Sequence, residues 1–229
     1  EEGIDFRSED KLLTTEEIFR LIEIASQMGV SKIRFTGGEP LLRKDLSELV
    51  QFANQCEGIE SAHLTTNGLL LSKQIDNLEK SGLSGINISL DTLNPEKFKI
   101  ITRRNGLDLV LNSLYKAIES TIQSIKLNVV ALRGFNDDEL MDFVDLTKEN
   151  DITVRFIELM PFDSHQIWKT GKFYGADHIV ADIKNQVDEL NPIGGSRTEH
   201  HIFRVNDYKG KVAVIPAYSR RLCGACNRI

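Results

Sequence analysis

Thr36-Gly37-Gly38-Glu39-Pro40 follows directly on a strand-like run, Ser31–Thr36. Paired glycines permit positive φ, or let a ligand approach the backbone closely. Pro40 stiffens the exit and Glu39 adds a carboxylate. Three more polar groups sit at comparable places: Thr65-Thr66-Asn67-Gly68, then Asn87, Ser89 and Asp91, then Glu158-Leu159-Met160-Pro161. Each alone is ordinary cap and turn chemistry. Four of them, all at strand ends, describe the floor of a site, because a buried strand carries no polar cluster unless it faces a cavity. Arg34 and Lys126 lie within strand-like runs, which is unusual for cations in a buried parallel sheet. Either alone reads as a strand-end residue reaching solvent, but two together point to an anion pocket. Arg43, Arg103, Arg104 and Arg155 read as surface charges.

The last chemical feature is Cys223-Gly224-Ala225-Cys226-Asn227-Arg228. A C-x-x-C turn serves zinc, an iron–sulfur cluster or a redox pair, and only two ligands are present here. Cys56 falls on the apolar face of a helix and reads as a small buried hydrophobe. The histidines form no ligand pattern: His200 and His201 are adjacent, so on a strand they point to opposite faces. They are expected to face solvent or make single hydrogen bonds. Trp168 suits base stacking and simple packing equally.

The elements that must position these residues follow from periodicity. Thr14 and Thr15 ahead of Glu16 and Glu17 give cap hydroxyls and first-turn acids for a helix over 14–29. Leu46, Leu49, Val50, Ala53 and Cys56 line a second helix, and others are predicted at about 72–80, 95–101, 108–120 and 137–149. Strands are predicted at Ser31–Thr36, Ile59–Thr65, Gly85–Leu90, Ile125–Ala131 and Ile152–Glu158. Strands alternating with helices predict an α/β fold with a parallel sheet under covering helices. The pattern changes near residue 161, which sets domains of 1–161 and 162–229. The second holds a helix at 176–187, a Pro/Gly loop over 191–196, and a hairpin of His201–Val205 and Lys211–Ile215 that packs against the first.

Composition excludes some classes. The chain has 229 residues, 41% apolar and 27% charged, with net charge −6. That balance argues against nucleic acid as the main partner, while a local pocket still gathers cations. No apolar run approaches the roughly 20 residues that span a bilayer. Three cysteines do not make a disulfide framework and fit a reducing cytoplasm. Opening on Glu1-Glu2-Gly3 without Met gives the expectation of a fragment.

In order along the chain, KIRFTGGEPLLRKDL, LTTNG, NISLDTL, IKLNVVALRGFND, RFIELMP and CGACNRI resemble the GTP 3′,8-cyclases. These are the radical S-adenosylmethionine (SAM) enzymes of molybdopterin synthesis. GGEP marks the wider superfamily; RFIELMP and the CxxCNR run point to this member. The resemblance implies an incomplete (β/α)6 TIM-like barrel with a C-terminal extension carrying an auxiliary cluster site. It further implies two [4Fe-4S] clusters. The first is held by a C-x3-C-x2-C loop expected upstream of Glu1. Cys223 and Cys226 match two of three ligands of the second, whose last ligand is expected beyond Ile229. Gly38, Ser89 and Met160 match positions that contact SAM. Arg34, Thr65, Lys126 and Arg228 match positions that contact GTP. The catalytic residues stay unassigned.

The implied reaction starts with an electron from the first cluster to SAM. The resulting 5′-deoxyadenosyl radical takes hydrogen from C3′ of the GTP ribose, and the carbon radical attacks C8 of guanine. The product is (8S)-3′,8-cyclo-7,8-dihydroguanosine 5′-triphosphate. The implied partners are an electron donor such as flavodoxin or ferredoxin, the downstream cyclic pyranopterin monophosphate synthase, and a second copy of the chain. No nucleic acid or membrane is implied. Two rival readings remain: a peptide-modifying radical SAM enzyme with an auxiliary cluster, and a catalytically dead barrel binding nucleotide or zinc.

Overall fold

The computed structural model describes residues 12–160, 171–194 and 201–219. Thr14 caps helix α1 (Thr15–Gln27) in a reciprocal box with Glu17, as its sequence predicts. The chain then alternates β1 (Lys32–Phe35), α2 (Leu46–Gln55), β2 (Ser61–Thr66), α3 (Leu71–Lys80) and β3 (Gly85–Ser89). Helices α4 (Pro95–Thr102) and α5 (Leu107–Glu119) lead to β4 (Ser124–Ala131), α6 (Leu140–Glu149) and β5 (Thr153–Glu158). A 3-10 turn over Asp137–Glu139 opens the stretch before α6. Asn94 caps α4 by accepting from the Glu96 and Lys97 amides, with Pro95 at the first helical position.

After β5 come α7 (Ala176–Lys184), β6 (Leu190–Gly194), β7 (His201–Val205) and β8 (Lys211–Ile215). All strands join one eight-stranded sheet in the order β1-β2-β3-β4-β5-β8-β7-β6. The first five run parallel, and β8 continues them by pairing parallel to β5. The hairpin expected to pack against the first unit therefore extends its sheet. The expected loop at 191–196 is a strand instead over Leu190–Gly194, antiparallel to β7. Pro192 hides it: an edge strand tolerates the missing amide, and the register shifts between Pro192 and Gly194.

One face of this sheet is apolar and covered. Ala62, Leu64, Ile86, Ile88, Leu127, Val129, Val154, Phe156, Val212 and Val214 are buried in a core shared with the helices. The alternation of a strand puts every intervening residue on the other face. That face holds the polar positions of the five parallel strands. No helix among the described residues is long and apolar enough to cross a membrane.

Candidate active site

Strand register assembles the polar face in rows. Arg34 pairs with His63 and His63 with Gly85. The next row runs Thr65, Asn87, Lys126, Thr153 and Lys211. Above it lie Ser89, Asn128, Arg155 and Ala213. Arg34 reaches across the rows and donates from Nη1 to Thr65 Oγ1 at 3.4 Å. Arg34, Thr65 and Lys126, distant in sequence, thus share one face. Asn87 is buried, at 6% exposure.

Two sequence expectations change here. Arg155 is no surface charge. It is half-buried and lines a cavity of about 270 Å³ with Ser124, Lys126, Thr153 and Lys211. Its position in β5 alternates with Val154 and Phe156, and that alternation is the signal that could have placed it. His63 does not face solvent: it is 8% exposed and sits against Gly85, where a Cβ would lie 2.5 Å from His63 Nδ1. Burial, then the charges of Lys32, Arg34 and Lys126, push the imidazole down to about 4. The histidine is therefore neutral at physiological pH, wedged among cations. A cluster of this kind focuses positive potential on one face and attracts polyanions.

The strand-end loops are tied to each other by side chains. Glu39 does not project into the site. Its Oε1 accepts from Thr66 Oγ1 at 2.7 Å and from the Leu41 amide at 3.1 Å, and its Oε2 from the Asn67 amide at 2.8 Å. The carboxylate locks the Gly-Gly turn to the Thr-Thr-Asn turn. Gly37 takes φ +147°, a conformation open to glycine alone at little cost. A Cβ at Gly37 or Gly38 would meet nothing within 4 Å, so the turn borders open space. Asp91 accepts from the Val130 amide, and Asn136 donates to the Asp91 and Val130 carbonyls. Burial raises the Asp91 carboxyl above its ordinary range.

Ser89 is exposed at the end of β3, and Met160 is 44% exposed just past β5. Between them, on β4, Asn128 Oδ1 is buried without a protein donor. An orphaned acceptor beside two open strand ends suits a ligand that brings its own donors. The Gly37–Gly38 turn, Ser89, Asn128 and Met160 thus lie at strand ends with open space and an unfilled acceptor. Among the described residues no group of three His, Cys, Asp or Glu is arranged to hold a metal. Cys223, Cys226, Arg228 and Trp168 lie outside the described residues. Cys56 packs against the core as expected, and burial raises its thiol.

Comparison with known sequences shows the family. The profile described as "Radical SAM superfamily" matches residues 3–147, and "Molybdenum Cofactor Synthesis C" matches 152–229. A GTP 3′,8-cyclase of Chlorobaculum tepidum is 46% identical over 98% of this chain and 68% of its own length. One from Peptoclostridium acidaminophilum is 41% identical over all of this chain and 70% of its own. Human molybdenum cofactor biosynthesis protein 1 is 40% identical over the whole chain, which spans only 36% of that protein. Among solved structures, TYW1 with a lysine-pyruvate adduct superposes with TM-score 0.53 over 79% of this chain and 63% of its own. At 19% identity that likeness speaks for the fold alone. A superfamily profile over residues 3–147, a second profile over 152–229, and bacterial relatives of which the chain spans about 70% agree: the chain belongs to the radical SAM superfamily and, within it, to the GTP 3′,8-cyclase family.

Proposed function

We propose that this chain is the substrate- and SAM-binding part of an enzyme that converts GTP to its 3′,8-cyclised dihydro product, the opening step of molybdopterin synthesis. The single observation that carries the reading is the polar sheet face on which Arg34, Thr65, Lys126 and Arg155 converge. A triphosphate needs several cations on one wall, and a family acting on GTP has that use for them. The sheet forms part of an incomplete (β/α)6 barrel with its mouth at the C-terminal strand ends.

Each site residue has a physical role in this reading. Arg34 and Lys126 hold the phosphates, with Thr65 fixing the guanidinium of Arg34 through its hydroxyl. Gly38 lets the backbone approach SAM, Ser89 hydrogen-bonds it, and Met160 gives it backbone and apolar contact. Arg228 serves GTP, and Cys223 and Cys226 serve as two ligands of the second cluster. Two [4Fe-4S] clusters and SAM supply one-electron hydrogen abstraction when bound. The protein positions GTP against that chemistry and keeps water out. The partners are a flavodoxin- or ferredoxin-type donor and the synthase that consumes the product, in the cytoplasm.

Full-length protein, reduced anaerobically with GTP and SAM, is expected to yield cyclised GTP and 5′-deoxyadenosine. Arg34→Ala and Lys126→Ala each remove one charge-assisted contact. Each should weaken GTP binding about 10- to 150-fold in calorimetric titrations. Their SAM affinity should hold. Normal GTP binding by both variants would make these cations structural. Deoxyadenosine formed with a peptide while GTP stays intact would establish the peptide-modifying reading instead.

A further inference from the structure

Glu158 ends β5 and is 1% exposed, yet it carries a carboxylate. Both of its oxygens are satisfied by two remote stretches of chain. Oε1 accepts from the Ala176 amide at 2.6 Å, the first residue of α7, and from Ser219 Oγ at 2.7 Å. Oε2 accepts from the Tyr218 amide at 2.9 Å and the Ser219 amide at 2.8 Å. Burial alone would raise this carboxyl. The bonds from Ser219, Ala176 and Tyr218 more than offset that and hold it below the ordinary range. Glu158 is therefore anionic at neutral pH and makes four charge-assisted bonds, three of them to residues 218–219.

The neighbours of this carboxylate point to what the bonds are for. Met160 lies two residues on, within about 7 Å of chain. The same seam is packed from a third side. The Arg133 amide donates to the Lys172 carbonyl, Leu132 bridges Phe173, and the Phe173 ring meets Tyr218 edge-on at 5.4 Å. A carboxylate that served only to cap α7 would need one bond to Ala176 and none to the segment after β8.

We propose that Glu158 is a positioning residue: it locks Tyr218 and Ser219, just after β8, onto the strand that ends beside Met160, and so couples the chain that leads to the substrate-side cysteine pair to the SAM-contacting strand end. The proposal rests on the functional reading above. In that reading the cysteine pair handles the substrate purine while the strand ends hold SAM. Hydrogen abstraction and cyclisation then need both ends in register, and a small misplacement between them costs rate. Generating deoxyadenosine needs only the SAM side.

Glu158→Gln in the reconstituted full-length protein tests this, because the amide keeps the shape but turns an NH2 toward backbone donors. Exchange of the Tyr218 and Ser219 amides with deuterium is expected to speed up about ten-fold or more, with β2 and β3 still protected. In turnover, 5′-deoxyadenosine is expected to persist while cyclised GTP falls about ten-fold. The ratio of the two therefore rises, whereas partial unfolding lowers both and leaves their ratio unchanged. Ser219→Ala removes one of the four bonds and is expected to raise the ratio about three-fold; it carries the test if Glu158→Gln does not fold. Unchanged exchange at 218–219 overturns the latch, and faster exchange with an unchanged ratio overturns the coupling. If the unaltered protein makes no cyclised GTP, the functional reading fails, while exchange still decides whether Glu158 holds the tail.

Discussion

His63 is a titratable group buried where positive charge is concentrated, and its protonation is unfavourable in the fold. Its pKa drops from 6.5 to about 4, first through burial, then through Lys32, Arg34 and Lys126. Above pH 6.5 the imidazole is neutral in both states and contributes no pH dependence. Between 6.5 and 4 the unfolded chain takes up a proton that the folded chain refuses, so stability falls as pH falls. Between pH 7 and pH 5 this amounts to about 2 kcal/mol. Urea denaturation at the two pH values should show that loss in the unaltered protein and its absence in His63→Gln. An equal loss in both would place the titration elsewhere. The close fit of His63 over Gly85 belongs to the same scale: a Cβ there lies 2.5 Å from the ring, so Gly85→Ala must displace the histidine.

At the scale of elements, acidic side chains join loops that the strands leave apart. Glu39 ties the β1 turn to the β2 turn, Asp91 ties the end of β3 to β4, and Glu158 ties β5 to α7 and the chain after β8. Glu139 does the same at the start of α6. It is 5% exposed and accepts from Thr92 Oγ1 at 2.8 Å, the Leu93 amide at 2.6 Å and Lys97 Nζ at 2.9 Å. Loops at the C-terminal strand ends must be positioned to bind ligands, and short side-chain ties do this without extra secondary structure. Glu139→Ala leaves the Thr92 hydroxyl and the Leu93 amide without their acceptor. It should destabilise by roughly 2–3 kcal/mol in denaturant titrations. A loss under about 0.5 kcal/mol would mean that water replaces the carboxylate freely.

At the scale of the whole molecule, the pairing of β8 with β5 joins the two sequence profiles into one sheet. Gly210 sets that junction. A Cβ there would lie 2.4 Å from the Ile152 carbonyl and 2.5 Å from that of Asn150. The Gly210 amide donates to the Thr147 carbonyl and the Lys211 amide to that of Ile152. Backbone gives way less readily than a side-chain tip, so Gly210→Ala should cost roughly 3 kcal/mol. The damage should show as faster amide exchange in β8 and α6 than in β2. An unaltered unfolding midpoint would disprove the tight approach.

The sequence by itself determined the helices, the five parallel strands and the family, while β6 read as a loop. Local patterns suffice for the capped helix α1, the five alternating strands and the GGEP, TTNG and NISLD strand ends, because cap chemistry and periodicity act over a few residues. Only tertiary structure decided which residues share a face and what each carboxylate does. Register between strands set Arg34 beside His63 and Lys126 level with Lys211, pairs 29 or more residues apart. The same holds for Arg155, which looks like a surface charge until β8 pairs against its strand and encloses the cavity. Glu39 and Glu158 look alike in sequence as strand-end acids. Their roles as locks come from amides 28 and 61 residues away, and no local signal encodes a partner at that distance.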